Sequence, residues 1–372
     1  MMSEEVVIIG NSFSGLGTAI ACAKHGYQVT VIAPNNHSSF IGGLQIAPNG
    51  LAALSSLGVE QEILNKAVRL LAVHIKAFDT AVSLTNIPLS SNNAPYVSIA
   101  RQDLYEILLS KCLTNSLINF MDASVLAITS KNNHTRLALD TGEIITAPII
   151  IGADGWDGKT RHFISPSARQ KNSGYSIYRG IFPASKVPAG FSYPDVQLWL
   201  GNSCHLVSYP IQNSQAVNFV FAFSERAFES HSIDAIFCNH PVLSMLGEYT
   251  QNWHLTPIKQ FDSLSNWRRG GITLIGDAAH PMPPHLAQGA GQSFMDVASI
   301  ENGLGTGLTL SNAISNMITT RMPEAHSVAK KSQLSGNIFR LNSPIAGLRN
   351  QLISMAGQKV ISDFLQDLWL TA

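Results

Sequence analysis

The sequence is short of charge and of cysteine. Only 13% of its 372 residues are charged, and 24 basic residues balance 24 acidic ones for a formal net charge of +0. Nucleic-acid binders normally carry a basic excess, so no nucleic-acid partner is expected. The four cysteines, Cys22, Cys112, Cys204 and Cys238, lie far apart with no CxxC pair. That spacing speaks against a disulfide framework or a metal site and makes a reducing cytoplasm the expected location. No run reaches the ~18 apolar residues of a spanning helix, so no stable membrane insertion is expected. Glu4 and Glu5 stand where a signal peptide would carry basic residues, so none is expected. Internal repeats and low-complexity tracts are also missing.

What is present is apolar material, 45% of the chain, enough for a sizeable core, and a length that suits two domains. The stretch from Leu274 to Asp296, LIGDAAHPMPPHLAQGAGQSFMD, organises the rest. An apolar strand end (Ile272–Ile275) turns through Gly276-Asp277, passes three prolines and two histidines, and opens a helix at Gln288–Gly289. A carboxylate beside a glycine-rich helix N-terminus is a place to hold a polar, phosphate-bearing ligand.

The N-terminal end reads as strand, glycine turn, helix, strand. Val6–Ile9 is apolar and β-branched, Gly10-Asn11-Ser12-Phe13-Ser14-Gly15 follows, a helix runs to about His25, and Gln28–Ile32 is a second strand. This is the opening of a dinucleotide-binding fold. Ile41–Asn49 is a glycine-rich irregular strand leading to a helix near Leu51–Leu57. Val97–Arg101 ends a strand, and Gln102–Cys112 is a helix. Phe120–Thr129, Thr135–Leu139 and Glu143–Ile145 are expected strands, with a polar turn at Lys131-Asn132-Asn133. Ala147–Ile151 is a buried strand ending in Gly152-Ala153-Asp154-Gly155, a second carboxylate at a strand terminus.

Tyr175–Ile181, Val196–Leu200, His205–Ile211 and Val217–Phe223 alternate and are rich in aromatics, which predicts an inserted antiparallel sheet. Period-two alternation puts His205, Val207 and Tyr209 on one face. Ile233–Gln251 is expected to be helical, and Leu255–Phe261 and Gly271–Ile275 to be strands. Helices dominate from Gln292 onward; the amphipathic Ile345–Leu370 segment is expected to pack on the body.

Three separated pieces, GNSFSG, GADGWDGKTR and GDAAHPMPPHLAQGAG, occur in the order and spacing of the flavoprotein aromatic hydroxylases typified by p-hydroxybenzoate hydroxylase. The resemblance spans essentially the whole chain. IGGLQIAPNG, YRGIFPA, CHLVSYPI and the Trp267-bearing approach to GDAAHP resemble the branch of salicylate, 3-hydroxybenzoate and 6-hydroxynicotinate hydroxylases. It implies an α/β fold with a Rossmann-like parallel-sheet FAD domain in two parts (1–170 and 266–345). An antiparallel-sheet substrate domain (171–265) is inserted between them, and a C-terminal helical segment (346–372) follows.

By position, the resemblance implies that Gly10, Ser12, Ser14 and Gly15 border the FAD pyrophosphate. Arg101 contacts the phosphates and ribityl region, and Val125 flanks the adenine. Asp154-Gly155 serves FAD and the nicotinamide cofactor, and Asp277 the ribityl hydroxyls. Gly289, Ala290 and Gly291 lie under the flavin pyrimidine ring. His205 and Tyr209 face an aromatic substrate, with His285 and Gln288 beside flavin and substrate. Four positions depart from the pattern. Ser12 replaces a glycine, and Ala33 replaces the ribose-binding acid, for which Asn35 or Asn36 is a candidate substitute. Gly158 replaces a serine, although Arg161 is kept, and Met295 replaces the glutamate usual before Asp296.

The implied activity is hydroxylation of a small aromatic hydroxy acid, with NADH or NADPH reducing FAD and O2 forming a flavin hydroperoxide. His205 is the candidate base for the ring hydroxyl, Tyr209 its partner and His285 the second candidate. Two alternatives stand beside it: a polyprenyl-phenol hydroxylase of quinone biosynthesis, and a degenerate family member that only binds small molecules. Monomer and homodimer are both compatible with the sequence.

Overall fold

The computed structural model describes residues 5–35, 42–89, 95–131, 134–228 and 232–370. Asn36, Ile41 and the Asn132-Asn133 turn lie outside the described residues.

The expected α/β architecture is present. A six-stranded sheet runs in the order Arg268–Arg269, Ile272–Leu274, Ile149–Gly152, Glu5–Ile9, Gln28–Ile32, Ile118–Met121. All its pairs are parallel except the first. Ile9 is in register with both Gly152 and Ile32, so three strands end at one edge. Gly10, Ala33 and Ala153 therefore emerge together, at the carboxyl ends where open α/β sheets bind ligands. Val6, Val7, Ile8, Val29 and Val31 have no exposed surface, as strands covered on both faces require.

A seven-stranded sheet runs Trp253–Phe261, Gln170–Pro183, Ala216–Ser224, Cys204–Ile211, Asp195–Leu200, Ala72–Ala77, Ser83–Pro88. The last two strands come from the N-terminal part of the chain and join through a parallel pairing of Ala72–Ala77 with Asp195–Leu200. One face buries Trp199, Leu206, Phe219 and Phe221 in an aromatic core with Phe237, Leu246 and Trp253. The opposite face carries His205, Val207 and Tyr209.

Two expected elements differ. Phe120–Thr129 is two strands, Ile118–Met121 in the parallel sheet and Val125–Lys131 in a small antiparallel one. The chain breaks where Asp122 accepts from the Asn35 N–H (2.7 Å) and Ser124 donates its N–H to Asp140 (2.9 Å). Ile233–Gln251 is two short helices, Ile233–Phe237 and Met245–Glu248. Pro241 has no N–H to extend a helix, and the His240 ring holds the turn that follows it. Its Nδ1 accepts from the Val242 and Leu243 N–H groups at 3.1 and 3.0 Å. The three C-terminal helices are Gly289–Gly305, Leu310–Phe339 and Ile345–Leu370, the first opening at the expected position. Among the described residues no helix is long and apolar enough to cross a membrane.

Candidate active site

A cavity of about 820 Å³ runs between the two sheets. It begins at Ser12–Ser14, passes Arg101, Asp277, Gly289 and Ala290, and reaches Arg179, His205, Tyr209 and His285. Of the sequence-predicted residues, Ser12, Ser14, Arg101, Asp277, Gly289, Ala290, His205, Tyr209 and His285 line it. Gly10, Gly15, Val125, Asp154, Gln288 and Gly291 lie outside its lining.

The glycine turn is built for close approach. Gly10 adopts φ +102°, and a Cβ there would overlap the Ala153 carbonyl. A Cβ on Gly15 would overlap the Gly10 carbonyl, so the helix starts hard against the strand. Ser12 caps that helix by accepting from the Gly15 N–H at 3.3 Å, while its hydroxyl donates to the Ala153 carbonyl at 2.8 Å. Ser12 therefore replaces a glycine by joining the turn's own hydrogen bonding, and its proton is not free for a phosphate.

Asp277 is enclosed by surrounding protein, yet its side chain is exposed to the cavity. Burial raises its carboxyl pKa, against the charges of His280, Arg101 and Arg161. Among the described residues no protein group hydrogen-bonds this carboxylate, which leaves it an acceptor for a ligand hydroxyl. The turn carrying it is tied down twice. Arg161 donates to the carbonyls of Ala278 (2.8 Å) and Ala279 (3.2 Å). Asp296, fully buried, accepts from the Gly276 N–H (3.0 Å), His280 Nε2 (2.6 Å) and Arg321 Nε (3.2 Å). Burial alone would raise the Asp296 pKa; His280 and Arg321 outweigh it and hold the group ionised. Next to this turn, Gly289, Ala290 and Gly291 form the first turn of a 17-residue helix. Their N–H groups have no intrahelical acceptor. Gln288, buried, accepts from Gln292 Nε2 at 3.2 Å.

Asp154 lies outside the cavity lining, beside a short helix. Its carboxylate accepts from the Thr160 N–H (3.0 Å) and the Thr160 hydroxyl. It thereby caps the helix Lys159–Ile164, whose own N-cap, Gly158, has no side chain. A Cβ at Gly158 would overlap this carboxylate. Gly158 thus leaves open the space that the Asp154 carboxylate occupies. Burial raises the Asp154 pKa, and the Thr160 bonds oppose it.

At the far end, His205 is 3% exposed and its Nδ1 has no hydrogen-bond partner. Burial, then His285, Arg340 and Arg349, push its pKa well below the usual histidine value, so the ring is neutral. His285 meets it edge-on at 5.3 Å between ring centroids. Arg340 donates to His285 Nε2 at 2.8 Å, and burial together with that guanidinium lowers the His285 pKa to about 3. Tyr209 is buried, its pKa pushed up to about 12 by burial against the pull of Arg101 and Arg179. Arg179, on the strand Gln170–Pro183, faces the same space with no carboxylate partner among the described residues.

A family model described as an FAD binding domain matches residues 3–333. The chain belongs to this FAD-binding family. Within it, the chain is 26% identical to 3-hydroxybenzoate 6-hydroxylase 1 of Aquipseudomonas alcaligenes, over 98% of this chain and 96% of that protein. It is 29% identical to 3-amino-4-hydroxybenzoate 2-monooxygenase PtmB3 of Streptomyces platensis, over 94% and 92%. A crystal structure of Klebsiella pneumoniae HpxO complexed with FAD and uric acid superposes with a TM-score of 0.84 at 16% identity, covering 99% of this chain and 97% of that one. That likeness fixes the FAD-binding family's fold here. The cavity fits the FAD that the family name describes: the Ser12–Ser14 turn, an unpartnered carboxylate at Asp277 and an open helix N-terminus at Gly289 and Ala290 follow one another along its wall.

Sequence reasoning missed Arg179, Arg340 and the Asp296–Arg321 pair. Arg179 stands in YRGIFPA two positions from Ile177 and Ile181, so period-two alternation was the available signal. Arg340 had none, because it reaches His285 across 55 residues.

Proposed function

We propose that the protein uses FAD, NADH or NADPH, and O2 to hydroxylate a small hydroxy-aromatic acid of the benzoate or nicotinate type. The observation that carries this reading is one continuous cavity with cofactor-binding groups at one end and a neutral, unpaired histidine at the other. The two relatives above are named for hydroxylation of a hydroxybenzoate and an aminohydroxybenzoate.

Asp277 would hold the ribityl hydroxyls, Arg101 the phosphates, and the N–H groups of Gly289, Ala290 and Gly291 the electron-rich ring edge, where a helix N-terminus favours negative charge. Gly10, Ser12, Ser14 and Gly15 would border the pyrophosphate and Val125 the adenine. When bound, FAD supplies hydride acceptance from NAD(P)H and activation of O2. His205 would take the proton of the ring hydroxyl once the substrate's acid group offsets the nearby Arg340 and Arg349 charges that lower its pKa, and Tyr209 and His285 would orient that hydroxyl against it. Arg179 offers the countercharge for the acid group. The apolar walls exclude water from the reacting ring. In this reading residues 1–170 and 266–345 serve the cofactor, 171–265 face the substrate, and 346–372 cover it. The free thiols, with Cys238 exposed, suit a reducing cytoplasm, and a monomer or a homodimer is the form proposed.

The test is the colour of the purified protein, followed by a screen of hydroxybenzoates and hydroxynicotinates for stimulated NAD(P)H oxidation with product identification. Yellow protein and a hydroxylated product are expected. Protein that is colourless and stays so with added FAD would sink the reading.

A further inference from the structure

The cavity does not end at His205 and Tyr209. It continues as an arm between the seven-stranded sheet and the C-terminal helices. Ile75, Ile87 and Leu198, from the sheet's far strands, line it on one side and Ile353, Ile361 and Leu365, from the helix Ile345–Leu370, on the other, and the two sides pack against each other where they meet. This face of the sheet is therefore divided. Arg179, His205 and Tyr209 make a polar half on the cofactor side, and the strands Asp195–Leu200, Ala72–Ala77 and Ser83–Pro88 present only aliphatic side chains to the arm. Lys331, at its partly exposed rim, is paired with Asp367 at 2.6 Å. Protein interiors close-pack, and voids larger than a water molecule are few. An aliphatic space continuous with the reacting end is a place where an apolar group can be buried.

We propose that this arm receives an apolar substituent of the substrate, so that the protein acts on a hydroxy-aromatic acid bearing an alkyl chain or a second ring. The inference rests on the hydroxylase reading above and narrows it. The hydroxylated ring lies at the border, with its hydroxyl at His205 and its acid group toward Arg179. The substituent points away from the cofactor, under the C-terminal helix.

The experiment uses FAD-loaded full-length protein and hydroxybenzoates carrying ring alkyl chains of about one to six carbons, with the unsubstituted acids as reference. Binding is read from the change in flavin absorbance, and turnover from hydroxylated product. Each methylene taken into the arm should tighten binding by about fourfold, with product formed at least as efficiently as from the unsubstituted acid. Ile361→Trp and, separately, Leu365→Trp should flatten the dependence on chain length. That ratio is insensitive to any general loss of activity, and native-like circular dichroism of either variant suffices. Unsubstituted acids hydroxylated with no gain from the chains would overturn the proposal and leave the hydroxylase reading standing. Protein that takes up no FAD would overturn both. Solvent extraction and mass spectrometry of the purified protein cover the other source of apolar chains. A co-purifying lipid that the alkylated acids fail to displace would mark the arm as a structural lipid site and overturn the proposal.

Discussion

The coupling of Gly158 to Asp154 allows a quantitative test. Asp154→Ala removes the cap of the helix Lys159–Ile164, deleting acceptors for the Thr160 N–H and hydroxyl. Loss of an N-cap costs about 1 kcal/mol, within a range of roughly 0.5–2. Two bonds are lost, which puts the cost toward the upper end of that range, and burial, which raises the Asp154 pKa, offsets part of it, so about 1–1.5 kcal/mol is expected. For a chain of 372 residues unfolding as one unit, that lowers Tm by roughly 1–2 °C. Gly158→Ser supplies a side chain that can cap the same helix and overlaps the present carboxylate position, so Asp154 must rotate out. In that background Asp154→Ala should cost less than about 0.5 kcal/mol, a coupling of about 1 kcal/mol between the two sites. The assay is denaturant unfolding of the four proteins of the cycle, each saturated with FAD. Equal costs of Asp154→Ala in both backgrounds would refute the capping argument. The released carboxylate should also change the KM for NADH or NADPH with little effect on FAD affinity.

Other outcomes follow from the same geometry. His205→Ala should lower the rate of hydroxylation by about 100-fold or more, the usual size of a general-base contribution, while the FAD Kd from flavin fluorescence changes by less than about threefold. Asp277→Asn should weaken FAD by about 10- to 100-fold, the loss of a hydrogen bond to a charged acceptor; an unchanged Kd would remove Asp277 from the cofactor site. The lowered pKa of His285 makes folding acid-sensitive. Its folded value of about 3 lies below the unfolded 6.5, so the unfolded chain binds the extra proton and stability falls with pH below about 6.5. The slope approaches about 1.4 kcal/mol per pH unit, and His285→Asn should reduce the measured slope by one proton's worth between pH 6 and about 4.5.

Much of this was legible in the sequence because it is local. The turn at Gly10–Gly15, the Asp277 turn before the helix at Gly289, and the shared face of His205 and Tyr209 each follow from a short stretch and its period. What depended on distant partners was not legible. Ala72–Ala77 joins the antiparallel sheet only because Asp195–Leu200 lies beside it. Arg340 lowers the His285 pKa, and Asp296 holds the Gly276 turn from 20 residues away. The splitting of Phe120–Thr129 was hidden because its break depends on a hydrogen bond from Asn35 to Asp122. The bonds that the Asp154 carboxylate makes were not legible either, because they depend on the space that Gly158 leaves four residues later. The aliphatic arm was hidden for a related reason. Its two sides are ordinary apolar positions of strands and an amphipathic helix, and sequence cannot tell where such faces touch and where they stand apart.

The central claim, that this cavity brings FAD and O2 to a hydroxylated ring held at His205, is tested most directly by turnover under ¹⁸O₂. FAD-loaded protein, NADH or NADPH, and the hydroxy-aromatic acids, unsubstituted and alkylated, are incubated together and the products weighed by mass spectrometry. The account predicts a dihydroxylated acid that carries one ¹⁸O atom, formed by the native protein and nearly absent with His205→Ala. NAD(P)H oxidation with no labelled product from any of these acids would contradict it.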